Sequence, residues 1–573
     1  MDNSPSPTER LFGRAEILDR ILRRARDLTA GYRQNIALVG PPLIGKTSIL
    51  QRAVDLIREH PPLLPVYLEI RPDASLAEFA ERFASTLLYH YWSTGGREAP
   101  TTLEDLWAAC GPFVPKTVAL LAKAVAKARR GHASALVALF EAPGTLRQES
   151  GRLCVIMVDE FHRIAAWGKA LPFKALERQI MVQQETMYIL ASSSVPEARQ
   201  ILQERLAVLF GHFEVIPVGP LDLATGVRFL HDRAGLADLG VPYLVALADL
   251  TEGRPFELDT LARAIRGADG EGVATAEARI AEALTVTMFR PAGPLAQRCE
   301  EAVAGIPASW RTKVLPVLSA VAEGHHRIQA IAEATGRTTR EIAQSVRWLQ
   351  TAGLVVRSGA FCRVENRLLR FWLQTAHGLR GGSVHLEPSA AEQAFATRAL
   401  ALLTQATSRA PQAVLEVMET LMRRFRNDLI ELHGRRLRLP KMEVHTLLLP
   451  SVPRAVVGRH DGALWFCVPY STIVRESDTV ALVQTLRRVE KPWQRRIVVA
   501  LEGIEINAKL FLQQQRFWVW ELADVNYLLE LYGLSRMLPT EFQTAPVTVV
   551  CGAASNGRSH QPGGEESVHE VSA

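Results

Sequence analysis

Short apolar runs alternate with helical patterns over residues 11–268. Consecutive apolar residues, the pattern of strands buried on both faces, occupy positions 36–40, 64–70, 153–160 and 186–193. Because parallel strands are joined through helices, this alternation predicts a parallel α/β sheet covered by helices on both faces. Between the second and third runs, residues 76–146 are predicted to form a helical insertion.

The basic and apolar stretch at 116–130 within this insertion has two interpretations. Its lysines and arginines recur among apolar positions at helical spacing. That pattern is typical of a surface helix with a solvated face. The alternative is a face that contacts a membrane surface or a nucleic acid.

The second half of the chain has a different pattern. Residues 270–305 are alanine-rich and predict helices, 306–377 predict a compact helical unit with a short hairpin, and 378–390 predict a linker. A second α/β region follows at 391–550. Its predicted order is helix 411–433, strands 443–449, 454–459 and 463–468, helix 478–489, strand 496–501, a further helix and strand 516–520. We therefore expect domains at 11–268, 269–380 and 391–550, with a disordered tail at 552–573.

Composition narrows the class of protein. The 573 residues are 48% hydrophobic and 22% charged, which excludes a wholly disordered chain, and the glycines show no collagen-like period. Six cysteines lie far apart without a CxxC pair, which excludes a disulfide scaffold or a cysteine-rich zinc module and favours a reducing, cytoplasmic location. No apolar stretch approaches the roughly 18 residues of a membrane span, and the first residues lack a signal-peptide pattern. The net charge of +6 hints at an anionic partner.

The segment GPPLIGKTS has the spacing GxxxxGK[ST] between a predicted strand and a predicted helix. Backbone N–H groups of such a loop surround the β-phosphate of a nucleotide, the lysine reaches the β- and γ-oxygens, and the hydroxyl serves Mg²⁺. We therefore predict that ATP and Mg²⁺ bind here. The predicted cofactor-binding residues of this loop are Gly40, Pro41, Pro42, Leu43, Ile44, Gly45, Lys46, Thr47 and Ser48.

Two acidic residues end the apolar run at 153–160. We expect Asp159 to join Thr47 in holding Mg²⁺, and Glu160 to orient the attacking water as a catalytic residue together with Lys46. After the next strand, Ser192 or Ser193 would contact the γ-phosphate or the water, and Ser193 is our choice. The alternative role for this serine run is a helix N-cap before Pro196.

Six segments together resemble the archaeal-type ATPase family of the STAND and initiator-like branch of AAA+ proteins. They are LFGRAEILDRIL (11–22), GPPLIGKTS, VIMVDEFHRI (155–164), YILASSSV (188–195), LFGHFEVIPVGPL (209–221) and TEGRPFEL (251–258). The resemblance covers about residues 11–268. It implies an ASCE-type P-loop NTPase sheet with a helical lid, ATP binding and ATP hydrolysis. It also implies that Gly13, Arg14 and Pro255 lie near the nucleotide.

One position departs from the family. Many relatives have an arginine in the segment 209–212, where this chain has His212. An arginine finger supplies permanent charge at the transferred phosphate, whereas a histidine is only partly charged near neutral pH. Hydrolysis is therefore slow, or another arginine takes this role. The alternatives are Arg178, Arg199 and Arg205.

Residues 310–365 predict a winged helix-turn-helix with a recognition helix at 339–352. Thr338 or Thr339 would cap this helix, and Ile342, Val346 and Leu349 would face the core. Eleven basic and four acidic residues give residues 306–380 a net charge of +7. This charge predicts contact with DNA phosphates, and the alternative is a packing or protein-docking module. The predicted DNA contacts are Arg340, Arg347, Arg357 and Arg363.

The order of elements at 411–520 resembles the restriction-endonuclease-like domain. An active member needs an Asp on the second strand and Glu-x-Lys on the third to hold a metal. Ala455, Cys467 and Pro469 stand at those positions. Asp461 and Glu419 would be the substitutes if the register were shifted, but Asp461 lies in a predicted turn. We expect no nuclease activity, and a degenerate domain that binds DNA or protein.

The leading function is thus an ATPase that converts ATP and water to ADP and phosphate and switches a DNA- or protein-binding C-terminal half. A second hypothesis is an ATP-gated regulatory scaffold that does not hydrolyse ATP and binds a protein. A third is an ATP-dependent nuclease. Self-association into a homo-oligomer is a further alternative, and no membrane partner is expected.

Overall fold

The computed structural model describes residues 11–93, 100–168, 171–206, 213–268, 275–381, 387–407, 413–450, 452–489, 492–539 and 542. The chain divides into two compact units. The first contains residues up to 409, together with 427–439 and 531–533, and the second contains 410–426, 440–530 and the residues from 534 onward. No helix in the described part of the chain is long and apolar enough to cross a membrane.

A five-stranded parallel sheet forms the centre of the first unit. Its strands are β1 (Asn35–Val39), β2 (Leu63–Glu69), β3 (Leu153–Asp159), β4 (Thr186–Ser192) and β5 (Phe213–Pro217). They lie in the order β2-β3-β4-β1-β5, and each neighbouring pair is parallel. Every residue of β1, β3 and β4 is buried. The predicted parallel α/β sheet is confirmed.

Helices pack on both faces of this sheet. The helices of this part of the first unit are α1 (Ala15–Thr29), α2 (Lys46–Arg58), α3 (Leu76–Ser93), α4 (Leu103–Cys110), α5 (Pro115–Arg129), α6 (Ala135–Ser150), α7 (Leu171–Val182) and α8 (Val195–Gln200), and α4 and α5 pack on other helices. Successive β3 side chains alternate between two apolar clusters, with Val155 in one and Ile156 in the other. The insertion at 76–146 is helical as predicted. On α5, Leu121 and Val125 are buried while Lys116 and Lys123 are exposed.

A helical region follows β5. It contains α9 (Leu223–Arg228), α10 (Val241–Leu250), α11 (Pro255–Gly267), α12 (Ala276–Leu284) and α13 (Pro294–Ala304). A later helix, α19 (Pro388–Thr407), packs against α10 and α12. The Phe395 ring of α19 lies 5.1 Å from that of Phe289, centroid to centroid. This contact explains why α19 belongs to the first unit, although the sequence pattern placed residues after 390 in the C-terminal domain.

Residues 308–364, which we call the 308–364 module, contain three mutually packed helices and a strand pair. These are α14 (Ala308–Ala322), α15 (Ile328–Thr335), α16 (Thr339–Thr351), β6 (Val355–Ser358) and β7 (Phe361–Val364), followed by α17 (Arg367–Trp372) and α18 (Gly378–Gly381). Thr338 and Glu341 form a capping box at the start of α16. Ile342, Val346 and Leu349 are fully buried, as predicted.

Short helical turns connect several of these helices. The 3₁₀ turns are Phe161–Trp167 and Ala237–Leu239, and the π turns are Ile201–Arg205, Phe229–Arg233, Thr285–Phe289 and Leu373–His377. The 3₁₀ turn after β3 matters for the site, because it begins one residue beyond Glu160. It therefore sets the direction of the chain at the carboxyl end of the sheet.

An antiparallel hairpin of the first unit was not predicted. It consists of β8 (Asp428–Leu432) and β9 (Arg435–Leu439). The predicted helix at 411–433 was wrong at its end, because helix α20 (Val414–Arg424) ends at Arg424. Asn427 then has a φ of +70°, a conformation that no residue of a right-handed helix adopts.

The second unit contains a mixed five-stranded sheet. Its strands are β10 (Glu443–Leu447), β11 (Ala455–His460), β12 (Ala463–Tyr470), β13 (Trp493–Ala500) and β14 (Trp518–Glu521), and its helices besides α20 are α21 (Glu476–Arg488), α22 (Ile506–Gln514) and α23 (Leu522–Leu531). The strands lie in chain order. The pairs β10–β11 and β11–β12 are antiparallel, whereas β12–β13 and β13–β14 are parallel.

Candidate nucleotide site

The loop between β1 and α2 turns sharply at two glycines. Gly45 has a φ of +99° directly before α2, and a Cβ there would meet no atom within 4 Å. A Cβ on Gly40 would lie 2.2 Å from the Val218 carbonyl oxygen. Glycine, which has no Cβ, therefore allows the loop to pass this close to the backbone of Val218 at one end, while the space around Gly45 at the other end stays open. The positive end of α2 faces the concave side of this loop.

The Lys46 side chain lies inside the loop. Only 4% of the residue is exposed, and Nζ donates to the carbonyl oxygens of Gly40 and Pro41, each at 2.9 Å. Burial lowers the pKa of this ammonium, while the charges of Glu160 and Asp159 act in the opposite direction. Among the described residues, this buried cation has two neutral acceptors and no carboxylate partner. It is well suited to an anionic ligand, since phosphate oxygens would complete its partners.

Asp159, at the end of β3, meets Thr47 at the start of α2. Thr47 Oγ1 donates to Asp159 Oδ2 at 2.6 Å, and the Tyr67 hydroxyl donates to the same oxygen at 3.2 Å. Asp159 is only 1% exposed, and burial together with this carboxylate raises the pKa of Tyr67. Carboxylate and hydroxyl oxygens are the hard donors that Mg²⁺ prefers, so the pair fits this cation. The described residues contain no cluster of three or more His, Cys, Asp or Glu side chains arranged for a metal.

Glu160 is held by the chain after β4. Its backbone has a φ of +54°, which directs the chain into the 3₁₀ turn. Ser193 donates to Glu160 Oε2 from both its backbone N–H, at 3.0 Å, and its Oγ, at 2.7 Å. Within the described part of the chain, Oε1 of Glu160 accepts no hydrogen bond. The carboxylate is thus fixed through one oxygen while the other keeps its capacity to accept.

His162 and Tyr67 also belong to the site, although neither was predicted from the sequence. His162 Nδ1 lies 3.3 Å from Glu160 Oε2 and 2.9 Å from Ser192 Oγ, and burial lowers the pKa of its imidazole. The only signal for this histidine was its position two residues after Glu160, which the 3₁₀ turn converts into a contact. Ser192 therefore contacts the histidine while Ser193 contacts the glutamate. Ser194 is the residue before α8, and its side chain makes no capping hydrogen bond.

Gly13 and Arg14 lie directly before α1. A Cβ on Gly13, whose φ is +66°, would approach Thr225 Cγ2 to 2.4 Å. The Arg14 guanidinium donates to the carbonyl oxygens of Gly219, at 2.5 Å, and Ile44, at 3.4 Å. Burial lowers the pKa of Arg14. Arg14 therefore bridges the phosphate loop and the segment after β5.

The segment before α11 packs against the same region. The backbone N–H of Leu221 donates to the Gly253 carbonyl at 2.9 Å, and Pro255 is the first residue of α11. Leu221 also lies 3.1 Å from the Cβ position of Gly13. The motifs that contain Gly13 and Gly253 are far apart in the sequence. In the structure both glycines lie against Leu221, which connects the two motifs.

Replacing Gly253 by alanine is expected to destabilise the first unit by about 2–4 kcal/mol. A Cβ here would lie 2.0 Å from the Leu221 carbonyl oxygen, on a backbone with a φ of +68°. Gly267→Ala is the matched control, since its Cβ meets nothing within 4 Å at the end of α11. Thermal unfolding of the two variants tests this expectation. Equal melting temperatures would contradict it.

Two of the candidates for an arginine finger, Arg178 and Arg199, have described side chains. Arg178 and Arg199 are exposed, and within the described part of the chain neither side chain makes a hydrogen bond or ion pair. His212 and the rest of the segment 207–212 lie outside the described residues, as does the side chain of Arg205.

The four arginines predicted to contact DNA fall into two groups. Arg340 and Arg347 are exposed on α16, with Gln344 between them. Arg357 and Arg363 are half-buried on β6 and β7, and Arg357 Nε donates to the Gly359 carbonyl at 2.9 Å. The α16 pair is therefore accessible to a ligand, whereas the strand pair is partly enclosed.

The positions compared with a nuclease site lie on the second sheet. Ala455 and Cys467 are buried on β11 and β12, and Pro469 is on β12. Asp461 has a φ of +46° in the turn between these strands, and its side chain is 88% exposed. Glu419 pairs with Arg423 on α20. Neither substitute carboxylate lies on a strand.

Part of this chain is similar to a known protein family. Residues 10–190 match the family model of the AAA ATPase domain. This range contains the phosphate loop, Asp159, Glu160 and the strands β1 to β3 with most of β4. Residues 10–190 are therefore similar to an AAA ATPase domain. Comparison with curated proteins gave no match.

Several solved structures are similar to this chain at low sequence identity. A Walker-type ATPase of Pyrococcus abyssi is 16% identical with a TM-score of 0.41, over 64% of this chain and 96% of that one. The Aeropyrum pernix ORC2 protein, in ADPNP–ADP complexes, is 13% identical with a TM-score of 0.40, over 70% and 98%. The Aeropyrum pernix ORC1 protein in complex with DNA is 16% identical with a TM-score of 0.35, over 65% and 93%.

Proposed function

We propose that this protein binds ATP with Mg²⁺ at the loop 40–47 and hydrolyses it to ADP and phosphate. The observation that carries the proposal is the Glu160 carboxylate, held by Ser193 at the carboxyl edge of the sheet beside the Thr47–Asp159 pair. The match of residues 10–190 to an AAA ATPase domain supports it. The test is release of phosphate from ATP by the purified protein.

Each residue of the site has a role in this reaction. Lys46 neutralises charge on the β- and γ-phosphates, and the loop N–H groups and α2 hold them in place. Thr47 and Asp159 would hold Mg²⁺, which supplies positive charge to the phosphate oxygens when bound. Glu160 accepts a hydrogen bond from the attacking water and aligns it with the γ-phosphorus. As the water oxygen bonds to phosphorus, the bond to the β–γ bridging oxygen breaks and ADP leaves.

Ser193 and His162 position Glu160 in this proposal. Three donors or potential donors surround Oε2, namely the Ser193 N–H, the Ser193 hydroxyl and His162 Nδ1. With Oε2 fixed, Oε1 remains for the water. Arg14, Gly13 and Pro255 have a different role. Arg14 connects the loop to the segment after β5, Gly13 packs against Thr225 of α9, and Pro255 begins α11. We place them near the base of the nucleotide, so that binding there alters the packing of α11.

A second proposed function is binding of duplex DNA by the 308–364 module. Its order of elements, three helices and then two antiparallel strands, is the order of a winged helix-turn-helix. Two observations favour a nucleic acid, namely the excess of basic residues over 306–380 and the exposed Arg340 and Arg347 on one face of α16. Whether ATP or ADP is bound at the loop 40–47 would then determine whether DNA can reach this face of α16. The second unit, without carboxylates at the compared strand positions, is proposed as a binding domain and not a nuclease.

Reversing both charges, Arg340→Glu with Arg347→Glu, is expected to weaken duplex binding about tenfold or more while ATP binding stays unchanged. Each lost phosphate contact should lower the log–log salt slope by about 0.9. Fluorescence anisotropy of a labelled duplex over a salt series measures both quantities. Arg23→Glu with Arg26→Glu on α1 is the control with an equal change in charge. Undetectable duplex binding by the unaltered protein, with ATP and with ADP, would overturn this function and favour a protein-binding scaffold.

A further inference from the structure

The turn between β6 and β7 is covered by the β8–β9 hairpin. Ser358 Oγ accepts from the Glu431 backbone N–H at 2.8 Å and donates to the Glu431 carbonyl at 3.3 Å. Gly359, with a φ of +60°, approaches Leu429 so closely that a Cβ would lie 1.8 Å from its carbonyl oxygen. Ser358 is only 1% exposed. The tip of the strand pair is therefore already occupied by protein.

Charged and aromatic contacts fix the hairpin to the module. Asp428, which is 7% exposed, accepts from Arg327 Nη2 at 3.1 Å and from the Tyr532 hydroxyl at 2.7 Å. The Arg327 guanidinium lies over the rings of Phe361, at 4.9 Å, and Tyr532, at 5.8 Å. Separating a mostly buried ion pair of this kind is costly, because one charge would lose its partner away from water. The hairpin and the module thus form one surface.

The two faces of the hairpin differ in character. Ile430, Leu432 and Leu439 are buried. On the opposite face Arg438 stands across from Leu429, and Arg436 across from Glu431, and all four side chains are exposed. Arg435 is exposed at the start of β9. Its cross-strand partner is Leu432, so Arg435 lies beside the outward face and not on it. The outward face holds two arginines and one glutamate, a net charge of +1, and Arg435 adds a third exposed arginine to the hairpin.

We propose that this hairpin, and not the β6–β7 turn, makes the strand-side contact of the 308–364 module with the phosphates of duplex DNA. The inference depends on the DNA binding proposed above and replaces Arg357 and Arg363 as contacts. Guanidinium groups match phosphate oxygens in a planar, two-bond geometry. Arg436 and Arg438 point to one face and lie about 6.8 Å apart along the strand, which is about twice the axial spacing of phosphates on one DNA strand.

The test compares three variants of the full chain in duplex binding by fluorescence anisotropy. Arg435→Glu, Arg436→Glu and Arg438→Glu together are expected to weaken binding at least tenfold. If all three contact phosphates, the log–log salt slope should fall by about 2.7. The same three positions changed to lysine keep the charge, so their salt slope should remain close to that of the unaltered protein. Arg357→Gln should change affinity less than twofold.

The outcomes separate this inference from the proposed function. Loss of affinity in the glutamate variant, with an unchanged melting temperature and unchanged ATP affinity, supports the hairpin as a phosphate contact. If that variant binds as tightly as the unaltered protein while the Arg340 and Arg347 reversal binds weakly, the hairpin inference is wrong and DNA binding stands. A larger loss from Arg357→Gln than from the hairpin change would also overturn it. No duplex binding by the unaltered protein would refute both.

Discussion

Replacing Lys46 by alanine is expected to lower ATP affinity at least 100-fold. The Lys46 ammonium is held inside the loop, on the carbonyl oxygens of Gly40 and Pro41, where an entering phosphate would meet it. A charged hydrogen bond contributes about 1.5–3 kcal/mol, and two of them to the β- and γ-oxygens correspond to about two factors of ten or more. Isothermal titration of ATP with Mg²⁺ measures the change.

The control for this variant is Lys123→Ala. Lys123 is an exposed lysine of α5 in the same unit, so its loss removes one positive charge without touching the loop. Its ATP affinity should equal that of the unaltered protein, and both variants should retain the circular dichroism of the folded chain. Wild-type affinity in the Lys46 variant would show that nucleotide does not bind at residues 40–47.

Replacing Glu160 by glutamine is expected to lower the rate of ATP turnover about 100- to 1,000-fold, with ATP affinity changed less than about threefold. The amide keeps a carbonyl oxygen that can accept from Ser193, so the side chain should stay in place. It loses the negative charge that polarises the water. Single-turnover hydrolysis and equilibrium binding, measured on one preparation, separate the two effects.

Glu141→Gln is the matched control for this second variant. Glu141 is exposed on α6, and the change removes the same carboxylate charge outside the site. The rate of ATP turnover in the Glu141→Gln variant should equal that of the unaltered protein. Unchanged turnover in the Glu160 variant would remove this residue from catalysis. A large loss of ATP affinity instead of rate would mean that Glu160 supports the bound nucleotide and not the water.

The phosphate loop and the acid pair were predictable because their chemistry is local. Glycine spacing, a strand before and a helix after are properties of about ten consecutive residues, so the order of residues itself places Lys46 at the start of α2. Likewise, the apolar run of β3 puts Asp159 at a strand end. Parallel strands bring their carboxyl ends to one edge, and this accounts for the meeting of Thr47 and Asp159, which are far apart in the chain.

The choice among the three serines after β4 was harder. Ser192, Ser193 and Ser194 differ by one position each, and a shift of one residue at a strand end turns the side chain to the other face. In the structure Ser193 reaches Glu160 and Ser192 reaches His162. The direction of the 3₁₀ turn after Glu160 decides this, and no periodicity in the sequence reports it.

Sequence patterns alone predict the parallel sheet of the first unit, its buried strands, the helical insertion and the buried face of α16. These follow from apolar periodicity, which reflects burial against whatever neighbour is present. The folded chain shows three further features that these patterns did not predict: α19 packs on α10, residues 428–439 form a hairpin, and this hairpin covers Gly359. The contact of α19 with α10 and the contact of the hairpin with Gly359 join segments about 70 residues or more apart, and each depends on the shape and charge of a particular neighbour. Local patterns carry no information about which neighbour that is.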